Sequence, residues 1–178
     1  MEEQRRFHVY GFKPNKNLIS AALSTPDDIG RILRVHLAVE QQLNALLDHA
    51  TKRKVRASGF YNKLVALRCM QIDEWVCDVV EKLNDLRNAL AHNPTATLMN
   101  NKSIAISIVE TAKSHIQLDD LDVHFSEESE QLHRFDGMDL GQQVVVVGAM
   151  LAAYLGGIPK NMEFLPPRFK GLPAKEVG

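Results

Sequence analysis

Arg87, Asn88 and His92 lie within one six-residue span of the stretch LRNALAHNP, residues 86–94. An arginine keeps its positive charge at any relevant pH and can hold an anion through paired hydrogen bonds. A histidine, with an ordinary pKa of about 6.5, gains and loses a proton near neutrality. Together the two could transfer a proton beside a stabilised negative charge, with Asn88 orienting one of them. Plainer roles exist. A histidine in the last turn of a helix interacts favourably with the helix dipole, and Asn93-Pro94 after it is a stop signal.

The helix that carries these residues is predicted from about Asp73 to Ala91, with Trp75, Val76, Val79, Val80, Leu83, Leu86 and Leu90 on one broad apolar face. At about 100° per residue Arg87 falls inside that arc, between Leu83 and Val80, while Asn84 and Asn88 follow one edge. Burying a guanidinium without a partner costs several kcal/mol. Arg87 therefore requires a carboxylate, a second subunit or a bound anion. RVHLAVEQQL, residues 34–43, sets His36 and Glu40 one turn apart on another helix and predicts a Glu40–Arg87 contact with His36 nearby. A buried ion pair that only fixes helix register satisfies the same pattern.

The elements that must position these groups are read from periodicity. Asn17–Leu23 suits a short helical turn. A long helix follows, with Thr25 as N-cap and Pro26 at its first position. Ile29, Ile32, Leu33, Val39, Leu43, Leu46 and Leu47 form its apolar stripe. Ser58 is expected to cap a second helix with Phe60, Leu64, Val65 and Leu67 inward. Beyond Pro94 the β-rich SIAISIV and the pair Asn100-Asn101 predict a small hairpin over 95–109, although a helix across Ser103–Lys113 also fits. The acidic stretch Asp119–Asp139 reads as a loop with a short helix. A last apolar helix covers about Asp139–Leu155, either central to the bundle or on a dimer surface. The chain then divides into an N-terminal arm (1–24), a helical domain (25–157) and a Pro-rich extended tail (158–178).

HLAVEQQLNALL, FYNKLVAL and LNDLRNALAHNP, in that order, resemble the HEPN superfamily (higher eukaryotes and prokaryotes nucleotide-binding domains) over about residues 25–110. The family signature is an arginine, then four to six positions of which the first is usually polar, then a histidine. Here those are Arg87, Asn88 and His92, in an Arg-Asn-x3-His arrangement. The resemblance implies an up-and-down helical bundle that dimerises through the motif helices. In active members the dimer cleft cuts RNA without a metal and leaves 2′,3′-cyclic phosphate ends. By that likeness His92 is the acid–base residue, Arg87 the phosphate stabiliser and Asn88 a positioning group. Glu40, His36 and Asn84 support them. Other members, such as those resembling the mannitol operon repressor, imply a non-catalytic regulator instead. A toxin or defence role would add an antitoxin or regulatory protein as partner.

Composition narrows the alternatives. The chain has 178 residues, 21 basic against 22 acidic, so no overall field attracts polyanions. Only a local patch could bind RNA, and TKRKVR supplies Lys52, Arg53, Lys54 and Arg56, with Lys63, Arg68, Phe60 and Tyr61 close behind. A solvated loop explains the same run. Cys69 and Cys77 read as reduced, buried thiols. His115, His124 and His133 match no metal-ligand spacing, and there is neither a glycine-rich phosphate loop nor a G-x-S-x-G elbow. No metal or cofactor is expected. The N-terminus lacks an apolar segment of the signal-peptide kind, and the run Val144–Ile158 reads as a core helix, so a cytoplasmic protein without a membrane partner is expected.

Overall fold

Asp27, rather than Thr25, opens the longest buried helix. Its carboxylate accepts from the amides of Ile29 (3.2 Å) and Gly30 (2.7 Å), satisfying two donors that the first turn leaves open. Helix α2 (Asp28–Ala50) therefore starts two residues beyond Pro26. A computed structural model describes residues 14–51, 57–93, 95–124 and 132–162. In chain order the elements are α1 (Lys16–Ser24), α2, α3 (Phe60–Cys69), α4 (Glu74–Ala91), α5 (Lys102–Lys113), β1 (Asp122–His124), β2 (Leu132–Arg134) and α6 (Leu140–Met162). The architecture is mainly helical with one small two-stranded sheet.

The stretch read as an arm contains α1, nine residues long, which buries Ala22 and Leu23 against the bundle. Asn15 caps it by accepting from the Leu18 amide at 3.2 Å. Ser58 does not cap α3. The chain enters through Gly59 at φ +79°, a left-handed conformation that costs a residue with a Cβ, and the Ser58 carbonyl accepts from Asn62 Nδ2. The hairpin expected over 95–109 is absent: a single 3-10 turn (Met99–Asn101) leads into α5, which buries Ala105, Ile108, Val109 and Ala112. Their spacing of three, one and three residues is helical, and tertiary packing along that stripe overrides the β propensity of SIAISIV. The antiparallel pair occurs later, with Val123 opposite His133, inside the acidic stretch expected to be loop and helix.

Helix α2 packs most extensively on α6. The two run in the same direction, since Arg31 meets Asp139 before α6 begins and Val35 meets Gly148 two turns into it. A Cβ on Gly148 would collide with Val35 Cγ2, so glycine permits this close crossing. Val144, Val145, Val146 and Val147 are all buried, which makes α6 central. It extends to Met162, past the expected end at Leu155. Leu140–Ile158 is long and apolar enough to cross a membrane, yet 56% of that window is buried inside the bundle. Leu33 and Val65, expected inward, are instead exposed at 36% and 41%, and Cys69 is exposed while Cys77 is buried.

Candidate functional site

Helices α2, α3 and α4 bring His36, Glu40, Phe60, Lys63, Asn84 and Arg87 into one polar cluster at the edge of the core. The apolar stripe of α2 dictates where His36 and Glu40 stand. With Ile32, Val39, Leu43 and Leu46 wholly buried, His36 takes the margin of the stripe and Glu40 the next position outward. His36 is 6% exposed and its ring lies 5.2 Å from that of Phe60. Its Nε2 is buried, and no described protein group bonds it. Burial holds this imidazole below its ordinary value. The Glu40 charge and Asn84 oppose that shift, and the Arg87 and Lys63 charges reinforce it. His36 is thus a neutral ring inside a charged neighbourhood.

Glu40 does not make the expected bond to Arg87. Its Oε1 accepts from Lys63 Nζ at 2.6 Å, the lysine side chain being 12% and the glutamate side chain 29% exposed. Burial alone would raise the carboxyl, but the Lys63 hydrogen bond and charge, then His36 when it is protonated and the Arg87 charge, bring it below the ordinary value. Arg87 is half-buried rather than buried, and its Nη1 donates to Asn88 Oδ1 at 2.8 Å. Among the described residues no carboxylate lies within ion-pair distance of it.

The other two motif residues follow along α4. Asn88 is half-buried, and its carbonyl accepts the amide of His92 at 3.1 Å. His92 is the C-cap of the helix and is exposed. Asn88 thereby contacts Arg87 through its side chain and His92 through its main chain. Asn93 turns the chain, its Oδ1 accepting from the amide and the hydroxyl of Thr95. The arrangement can hold an anion at Arg87 and present an exchangeable proton at His92.

The expected basic patch divides. Lys52, Arg53, Lys54 and Arg56 lie outside the described residues. Lys63 is committed to Glu40. Arg68 is bound by three acids on α4 or its start: Nε to Glu74 at 3.0 Å, Nη2 to Glu81 at 2.9 Å and to Asp78 at 3.5 Å. Phe60 turns in against His36, whereas Tyr61 remains 70% exposed.

Arg31 escaped the sequence reading, and so did the pairing of Lys63 with Glu40, since the sequence groups Lys63 only with the basic patch. Lys63 has the one legible signal of lying a turn after Phe60 on an amphipathic helix, but nothing local says which acid faces it. Arg31 is 9% exposed. Its Nε donates to the Thr25 carbonyl at 2.6 Å and its Nη1 to Asp28 at 3.3 Å and both Asp139 oxygens at 3.1 Å. This second arginine joins the start of α2 to the start of α6 and is structural. No protein-family model matches the chain, and no curated protein or solved structure matches it.

Proposed function

We propose that the chain is a HEPN-type endoribonuclease that works as a homodimer without a metal. Arg87 carries the proposal: a half-buried guanidinium bound to the motif asparagine and to no described carboxylate, with an exposed histidine ending the same helix. An arginine kept only for structure would be expected to sit on an acid, as Arg31 and Arg68 do. In the proposed reaction Arg87 binds the scissile phosphate and stabilises its developing charge. His92 removes a proton from the 2′-hydroxyl or returns one to the leaving oxygen. Asn88 holds Arg87 in place. Leu33 and Leu37, 36% and 44% exposed, share the outward edge of α2 with Glu40 and offer apolar surface beside the cluster for a second copy.

The test is RNA cleavage in EDTA by wild-type protein, His92→Ala and Arg87→Ala, each confirmed to be folded. The proposal expects wild-type cleavage with cyclic-phosphate ends and losses of at least about a hundredfold in both variants. His92 is exposed, so its replacement leaves the fold intact. Absence of cleavage across a broad RNA panel would reject the enzyme and favour a non-catalytic HEPN-like regulator.

A further inference from the structure

Arg87 and Glu40 belong to helices that pack on one another, yet they do not pair. A guanidinium and a carboxylate match in a two-bond geometry that a lysine cannot reproduce, so an available Glu40 would be a strong competitor for Arg87. Two contacts prevent it. Lys63 Nζ on α3 holds Glu40 Oε1 at 2.6 Å, and Asn88 Oδ1 holds Arg87 Nη1 at 2.8 Å. The packing of α2 on α4 keeps the two residues in one cluster, and the Arg87 charge lowers the pKa of both Glu40 and His36 there. The lysine side chain is only 12% exposed, so it is a built-in partner and not a mobile surface cation.

We infer that Lys63 is a positioning residue for the anion site: by occupying Glu40 it keeps the Arg87 guanidinium open to a phosphate of the substrate. The assignment rests on the ribonuclease reading where the anion is RNA. The occupancy of Arg87 itself can be read without any RNA. Loss of Lys63 releases Glu40, which then bonds Arg87, cancels its charge and blocks the phosphate. The defect of Lys63→Met is therefore caused by the carboxylate, and removing that carboxylate cures it.

The experiment compares wild-type protein, Lys63→Met and the double variant Lys63→Met/Glu40→Gln. Modification of Arg87 by phenylglyoxal is followed by peptide mass spectrometry, together with RNA cleavage under the same conditions. All proteins are assayed well below their melting temperatures. In Lys63→Met, Arg87 modification slows by at least about fivefold and cleavage falls by about tenfold or more, and both recover in the double variant. A direct contact of the Lys63 amine with the phosphate would leave the double variant as poor as the single one, since both lack that amine. Equal Arg87 modification in all three proteins, or a failure of Glu40→Gln to restore it, overturns the inference. If the modification pattern appears but no protein cleaves RNA, the ribonuclease reading fails and the role of Lys63 at Arg87 stands. Should Lys63→Met not fold, Lys63→Ala, which likewise leaves Glu40 without its donor, is compared with Lys63→Ala/Glu40→Gln by the same criteria.

Discussion

His36 shows how position turns an ordinary residue into a sensitive one. Burial beside Phe60 keeps its imidazole neutral, and its folded-state value lies below the ordinary 6.5. As pH falls, the unfolded chain takes up the proton first, so stability decreases through the range below about pH 6.5 and levels off once the folded ring also protonates. Urea denaturation at pH 7.5 and 5.5 should show this loss in wild-type protein and a clearly smaller one in His36→Leu. Equal losses in both would mean that another group titrates. Glu40 acts in the same direction at lower pH, because its carboxyl is held below its ordinary 4.5 and its contribution is lost as pH falls through the folded value. Between pH 7.5 and 5.5 Glu40 stays largely ionised in both folded and unfolded chains, so it adds little to that comparison.

At the scale of elements, the α2–α6 crossing sets the geometry from which the site is built. Val35, which meets Gly148, directly precedes His36 on α2, so a shift in this crossing moves the whole cluster relative to α4. Gly148→Ala gains about 1 kcal/mol of helix propensity but forces a methyl against Val35, an overpacking that costs about 1–3 kcal/mol. A net loss of about 1 kcal/mol is expected by urea denaturation. Val35→Ala in the same chain should return part of it, since it removes the Val35 Cγ2 methyl that the added methyl would strike. A Gly148→Ala protein more stable than wild type would show that α6 can slide on α2 without strain.

At the scale of the whole molecule, the proposed dimer has a testable surface. Leu37 is 44% exposed on α2, so an aspartate there leaves the protomer folded. If a second copy covers that edge, Leu37→Asp raises the dimer dissociation constant by about tenfold or more in sedimentation experiments. A wild-type protein that remains a monomer at high concentration would remove the two-protomer cleft and with it the shared active site.

The sequence by itself determined the helices with long, regular stripes. Repetition of Ile32, Val39, Leu43 and Leu46, or of Val76, Val79, Val80, Leu83 and Leu86, leaves no second period to compete, and all of these residues are buried. The contacts of Asn88 with Arg87 beside it and with the His92 amide four residues on follow from the helix alone. The short elements were less legible. SIAISIV carries β-branched residues in a stripe that also suits a helix, and only the α4 and α6 surfaces beside it decide for α5. Val65 and Leu33 look inward by periodicity but are exposed, since an apolar arc is wider than the neighbour available to cover it. Above all, tertiary structure chose the partners of charge. Glu40 with Lys63 and Arg31 with Asp139 join residues 23 and 108 positions apart, and nothing local to either residue selects its mate. Ion pairs between helices depend on which edges face each other, and that is a property of packing.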